Sequence, residues 1–215
     1  KQYPDSCFPD SDKKWAAIFE EIIQENKKER PVLVGTLSVK SSEKLALMLS
    51  QKDLRYNLLN AVHHEKEAQI IASAGEKNSI TIATNMAGRG TDIKLGKGAK
   101  ELGGLHVIAS EKQKAGRVDR QLFGRCARQG DPGSCHAFMS IDDELAMRYI
   151  NPKLRQILKH CLKNKFPGHK YFVSKTFSRA QKTSEKLAEK QRRKILQTDT
   201  WLKDSLSFVG KGLSF

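Results

Sequence analysis

The apolar positions of the first 140 residues change their spacing several times, which predicts alternating helices and strands. Between Lys13 and Lys28 they recur at the three- and four-residue spacing of one helix face. Pro31 ends this segment, and the next run is short and wholly apolar, as in a strand buried on both faces. The pattern predicts strands at 32–35, 56–59, 80–83, 105–109 and 135–139, and helices around 45–49, 65–74 and 121–127. Five strands with crossover helices predict an α/β fold, a three-layer α/β/α sandwich around a mostly parallel sheet.

Beyond Ser140 the pattern is helical. It predicts short helices over 142–149 and 152–161, a loop over 165–170 and a long helix from about Ser174 to Phe208. The long helix has only a thin apolar stripe among Lys, Arg, Glu and Gln, and such a stripe buries little surface by itself. We therefore expect this helix to pack on further surface.

Charge divides the chain into two unlike parts. The net charge is +15, and residues 151–215 hold sixteen Lys and Arg against four Asp and Glu. A basic tail attracts nucleic acid, anionic lipid or an acidic protein surface without distinguishing among them, and a solvated helix face is the alternative.

The composition excludes several classes of protein. No apolar run reaches the length of a membrane-spanning helix, and 38% hydrophobic residues suffice for a core. The four cysteines form no CxxC pair and the six histidines are scattered, which predicts neither a disulfide framework nor a metal site. The first residues do not resemble a secretory leader, so we expect a cytoplasmic location.

Candidate chemistry lies in the loops that follow the predicted strands, since ligands of parallel α/β sheets bind at the carboxyl ends of the strands. After strand 80–83, Arg89 stands between Gly88 and Gly90, which allow close approach of a ligand to the backbone. Arg125 and Arg128 are three residues apart in the predicted helix 121–127 and its continuation. On one helix face, their guanidinium groups could bind different oxygens of one phosphate chain.

Residues 31–133 resemble the second nucleotide-binding domain of the SecA preprotein translocase motor, a superfamily-two helicase-like ATPase. The likeness is weaker upstream to Tyr3-Pro4-Asp5 and downstream into Ala180-Gln181-Lys182, which is similar to the start of the family's long scaffold helix. The segments that carry the resemblance are Val34-Gly35-Thr36, Leu59-Asn60-Ala61, His64 to Ala68, Thr81 to Ile93, and Gly124-Arg125 through Arg128 to Gly133.

The resemblance implies that Arg89, Arg125 and Arg128 act as catalytic arginine fingers on ATP. Such preplaced guanidinium groups stabilise the charge that develops on the γ-phosphate oxygens. It further implies that the nucleotide, ATP or ADP with Mg²⁺, is contacted by a second set of residues. This set consists of Gly88, Gly90, Thr91, Asp92 and Gln129.

The resemblance also implies a division of the chain and a set of partners. Residues 1–30 would form a lead-in and helix, 31–150 the RecA-like domain, and 151–215 a basic helical extension.

No GxxxxGK[ST] motif and no DEAD-like acidic box occurs in the sequence. Mg²⁺ and most phosphate contacts are therefore expected from a first nucleotide-binding domain of the same protein. The other implied partners are a preprotein, a membrane protein-conducting channel and anionic lipid, at a peripheral membrane location, and we expect the 215 residues alone to be inactive.

The sequence departs from the family pattern in the last arginine segment. Phe123 stands where the family usually has another arginine, and Cys126 and Ala127 replace a Ser-Gly pair. Two other hypotheses stay open at this stage. One is the C-terminal half-domain of an RNA or DNA helicase, because the fold serves nucleic-acid motors as well. The other is an interaction module that has lost catalysis.

Overall fold

Six parallel strands form one sheet, in the order β1-β6-β5-β2-β4-β3. The computed structural model describes residues 1–59, 67–84, 92–127, 130–164, 166 and 168–211, with the backbone alone at 67–68 and 202–211. The strands are β1 (Ser6–Phe8), β2 (Val32–Thr36), β3 (Asn57–Leu59), β4 (Ile80–Thr84), β5 (Leu105–Ala109) and β6 (Gly133–Ser140). The α/β/α expectation is confirmed, with every strand pair parallel.

Seven helices surround or extend this sheet within the described ranges. They are α1 (Ser11–Lys27), α2 (Val39–Ser50), α3 (Glu67–Ser73), α4 (Gly116–Phe123), α5 (Glu144–Tyr149), α6 (Pro152–Lys163) and α7 (His169–Lys211). The first two cover one face of the sheet, where Ile18 and Leu45 pack on Val34. The next two cover the opposite face, where Ile71 and Leu122 belong to a second apolar cluster.

The edge strand β1 is absent from the five strands that the hydrophobic pattern predicts. It has only three residues, between Pro4 and Pro9, so it carries no alternation that a sequence pattern can detect. It exists because β6 offers a parallel partner, with Ser6 opposite Phe138. The residues before it continue this pairing, since the Tyr3 N–H donates to the Cys135 carbonyl at 2.9 Å.

A third apolar cluster joins α5, α6 and α7 to the end of β6. It includes Met139, Leu145, Leu158, and Val173 and Phe177 of α7. Burial along α7 ends near Ala188, and residues 189–201 are all exposed. The predicted long polar helix is thus confirmed, and only its first half packs on the described residues.

Candidate functional site

The carboxyl ends of the central strands are lined by small residues that let α4 lie close to the sheet. Gly35 of β2 is opposite Ala83 of β4 and Ala109 of β5. A Cβ on Gly35 would lie 2.5 Å from a methyl carbon of Leu122 in α4. A larger residue at position 35 would therefore force the Leu122 side chain to move, in the helix that leads into the Arg125 segment.

The loop from β2 to α2 is held by local hydrogen bonds. Ser38 caps α2, because its hydroxyl accepts a hydrogen bond from the Ser41 N–H at 3.1 Å. Thr36, which is fully buried, donates its hydroxyl to the Ala83 carbonyl at 3.4 Å. These contacts fix the shape of the loop.

Arg125 is the one predicted catalytic arginine within the described residues. It is half-buried and lies in a turn two residues beyond the end of α4, where its N–H donates to the Leu122 carbonyl at 3.1 Å. Asp92 is exposed at the start of the segment after β4. The other predicted site residues lie outside the described residues: Arg89, Arg128, Gly88, Gly90, Thr91 and Gln129.

The prediction of one helix over 121–127 carrying Arg125 is wrong. The helix begins earlier, at Gly116, and ends at Phe123, where the Gly124 N–H bonds to the Arg120 carbonyl at 2.8 Å. The chain then turns back toward β6, and a Cβ on Gly133 would lie only 1.7 Å from the Cys126 carbonyl oxygen. A straight continuation of α4 is incompatible with this close approach.

The residues that depart from the family pattern in this segment pack in the interior of the protein. Phe123 is partly buried and packs on the same apolar cluster as Leu122. Cys126 is buried, and its thiol donates to the Phe123 carbonyl at 2.9 Å. The interpretation of Cys126 as a small buried residue is therefore confirmed.

A buried ionic cluster near the carboxyl ends of β5 and β6 was missed by sequence reasoning. Lys14 of α1, only 1% exposed, donates to Asp143 at 2.5 Å, and its ammonium lies 3.7 Å from the Glu111 carboxylate. Asp143 also accepts hydrogen bonds from the N–H and hydroxyl of Ser140. Burial raises the pKa of Asp143 and of Glu111 above their usual range, although Lys14 acts in the opposite direction.

A second polar cluster lies beneath α1. His106 and His136 both contact the Glu21 carboxylate, at 2.9 and 2.8 Å, and His106 also bonds to Ser134 at 2.7 Å. Burial favours the protonated form of Glu21, but the hydrogen bonds from the two histidines outweigh it and lower its pKa to about 2. The interpretation of both histidines as satisfied core residues is confirmed.

The helical extension contacts α4 directly. Gln181 of α7 donates to the Asp119 carboxylate at 2.7 Å and to the Gln113 carbonyl at 2.8 Å. Glu185 accepts a hydrogen bond from the Gly116 N–H at 2.7 Å, at the first residue of α4. Two hydrogen bonds thus connect α7 to the helix that precedes Arg125, and a third connects it to Gln113, just before that helix.

Comparison with known proteins identifies the family. A family described as "SecA P-loop domain" matches residues 1–101 and 96–165, which is most of the chain. The chain belongs to the SecA family. Its SecA relatives include "Protein translocase subunit SecA 2" of Chlorobium chlorochromatii, 44% identical over 94% of this chain and 31% of the relative. The SecA of Thermosipho africanus is 46% identical over 92% of this chain and 23% of the relative. The chain therefore spans about a quarter to a third of the length of these relatives.

Solved structures confirm the RecA-like fold of this SecA chain. The DEAD-box protein SrmB of E. coli, in complex with RraA, matches with a TM-score of 0.53 at 22% identity, over 70% of this chain and 85% of that chain. The second helicase domain of Mss116p, bound to an RNA duplex, matches with a TM-score of 0.52 at 17% identity, over 69% of this chain and 58% of that chain. At these identities the likeness concerns the fold alone.

Proposed function

We propose that this chain is the second nucleotide-binding half of an ATP-driven, SecA-type protein translocation motor. One observation carries the proposal: residues 1–165 match a P-loop domain family, yet the 215 residues contain no GxxxxGK[ST] motif. The phosphate-binding loop of the complete site must then lie in another part of the motor. This half would supply groups that approach the nucleotide from the opposite side.

Arg89, Arg125 and Arg128 are proposed to stabilise the transferring phosphoryl group. Phosphoryl transfer places charge on the equatorial oxygens, and a guanidinium fork held in position binds these oxygens more strongly in the transition state. The position of Arg125 supports this role, because it stands in a turn fixed between α4 and β6. A fixed turn costs little reorganisation when the nucleotide arrives.

The donor groups at this edge of the sheet suit phosphate better than a metal ion. Two described carboxylates near the ends of β5 and β6, Glu111 and Asp143, are already paired with Lys14. We therefore propose that Gly88, Gly90, Thr91, Asp92 and Gln129 contact ATP or ADP, and that Mg²⁺ is bound mainly by the first nucleotide-binding domain. Within the described residues, no group of three or more His, Cys, Asp or Glu side chains is arranged so that it could hold a metal ion.

The contacts between α7 and α4 offer a physical path by which nucleotide binding could be coupled to movement of the helical extension. A movement of α4 together with its Arg125 turn as one rigid unit would be passed on through the hydrogen bonds of Gln181 and Glu185 to α7. The proposed units are the RecA-like domain 31–150, preceded by the lead-in 1–30, and the helical extension 151–215 that receives this movement. The proposed partners of the motor are a preprotein, a membrane channel and anionic lipid, at a peripheral position on the cytoplasmic side of a membrane.

ATP hydrolysis by a reassembled protein tests the proposal. We would join the 215 residues to the remaining segments of the Thermosipho africanus relative and measure the steady-state rate. Arg125→Lys should lower kcat by about 100-fold or more, since a lysine cannot reproduce the guanidinium fork. The exposed Arg120 on α4 supplies the matched control, and Arg120→Lys should retain the rate.

Two results would contradict the proposal. Equal rates of ATP hydrolysis for the Arg125 and Arg120 variants would show that Arg125 does not take part in the site. Robust ATP turnover by the 215 residues alone would show that they contain a complete site.

A further inference from the structure

A serine, a histidine and a glutamate form a chain of hydrogen bonds near the edge of the sheet, on the face that α1 covers. The Ser6 hydroxyl of β1 lies 3.0 Å from Nε2 of His136 in β6. Nδ1 of the same imidazole lies 2.8 Å from each carboxylate oxygen of Glu21 in α1. A nucleophile, a base and a carboxylate in this order are the arrangement that activates serine in many hydrolases.

The ionised carboxylate fixes the roles of the two imidazole nitrogens. The pKa of Glu21 is lowered to about 2, so near neutral pH this side chain only accepts hydrogen bonds. Nδ1 of His136 therefore carries the proton that is donated to Glu21. In the neutral imidazole Nε2 is then an acceptor, and the Ser6 hydroxyl donates to it. His136 is thus placed to remove the proton of Ser6.

A second serine–histidine pair on the same carboxylate lacks the access that Ser6 has. Ser134 contacts Nδ1 of His106 at 2.7 Å, but it is only 4% exposed and its oxygen accepts a hydrogen bond from Arg30 at 2.9 Å. Ser6 is partly exposed on β1, and β1 is the outermost of the strands that the structure describes. Of the two pairs, the Ser6 pair is therefore the one that a small reagent can reach.

The backbone beside Ser6 offers a donor for the charge that develops on an ester oxygen. The Phe8 carbonyl accepts a hydrogen bond from the Ile141 N–H at 3.2 Å, so the backbone polar groups of Phe8 are directed toward the β6 side. Because successive residues of a strand alternate, the Cys7 N–H faces the outer edge. The N–H of the residue that follows the nucleophile is one of the oxyanion donors in α/β hydrolases.

We propose that Ser6 is a nucleophile that accepts the acyl group of a small ester and passes it to water. Its Oγ bonds to the ester carbonyl carbon while its proton moves to Nε2 of His136; the ester C–O bond then breaks, and the leaving alcohol takes that proton. Water next attacks the acyl carbon with the same base, and Ser6 is released with its proton restored. Glu21 is a positioning residue that orients the imidazole. The proposal does not depend on nucleotide binding, because none of the three residues belongs to the proposed ATP site.

A fluorophosphonate probe and p-nitrophenyl acetate test this inference on the 215-residue chain. The probe forms a stable phosphonyl ester with an activated serine, and mass spectrometry of tryptic peptides locates the adduct. We expect a single adduct, on Ser6. We also expect release of p-nitrophenol, which Ser6→Ala and His136→Gln should each slow by about tenfold or more. Glu21→Gln should lower kcat and leave KM for the ester unchanged, since Glu21 acts through His136.

Two exposed side chains supply the matched controls. Ser50 at the end of α2 contacts Tyr56, and His160 lies on α6, so neither belongs to the chain of three residues. Ser50→Ala and His160→Gln should retain the rate of ester hydrolysis. An adduct on another serine, or no adduct, would overturn the proposal. Equal rates for the Ser6 and Ser50 variants would overturn it as well, because they would assign the hydrolysis to other side chains.

Discussion

Lys14 shows how one buried charge connects three parts of the chain. Its ammonium group joins the start of α1 to Asp143, just before α5, and to Glu111, just after β5. A buried ion pair contributes little net stability compared with apolar residues, but loss of one partner leaves a charge without compensation. The pair therefore fixes α1 relative to the carboxyl ends of β5 and β6.

Lys14→Met should destabilise the protein by about 3 to 5 kcal/mol, because Asp143 would remain buried without its cation. Urea unfolding followed by circular dichroism measures this change. Lys13→Met is the control, since the Lys13 side chain is 62% exposed and should contribute less than about 0.5 kcal/mol. Similar unfolding midpoints for the two variants would disprove a stabilising role for the buried pair.

Glu21 makes the free energy of unfolding depend on pH in the acidic range. Its folded pKa of about 2 lies below the value of about 4.3 expected for an unfolded glutamate. The stabilisation is therefore fully present above about pH 4.3 and is lost as the pH falls toward 2.

Glu21→Gln should flatten the pH dependence of the urea midpoint between about pH 4.5 and 2. The exposed neighbour Glu20 provides the control, and Glu20→Gln should preserve the slope. An unchanged slope in the Glu21 variant would show that the two histidines do not stabilise this carboxylate.

At the scale of elements, α1 carries its polar partners at helical spacing. Lys14, Glu21 and Glu25 lie on the same side as Ile18 and Ile22, because their separations of seven and eleven residues keep one helix face. The amphipathic pattern predicted the helix but gave no partners for its charged residues. Only the partners of Lys14 and Glu21, which lie in or just after β5 and β6, show that this face is buried, and they are distant in sequence.

The link between α7 and α4 predicts a local effect. Gln181→Leu should leave the Asp119 carboxylate without its side-chain donor and loosen the start of α4. We expect faster amide hydrogen exchange in residues 113–123, with a loss of about 1 to 3 kcal/mol in opening free energy. Lys182→Leu, at the exposed neighbouring position, is the control. Unchanged exchange in the Gln181 variant would mean that α7 does not support α4.

At the scale of the molecule, the central sheet could be predicted because β2, β4 and β5 are short apolar runs buried on both faces. The end of α4 could not, since it is decided by the approach of Cys126 to Gly133 of β6. The resemblance supplied the candidate arginines, and only Arg125 can be placed among the described residues. The arrangement of Arg89 and Arg128 beside it stays a prediction.

The length of α7 turns small rotations into large displacements. From Gln181, where it is bonded to α4, thirty residues run to Lys211, which at the rise of an α-helix is about 45 Å. A tilt of about 10° at this pivot would carry the distal end through roughly 8 Å. In the proposed motor, α7 would thus act as a lever arm with its pivot beside α4, and a rotation at that contact would displace Lys211 far more than the residues at the pivot.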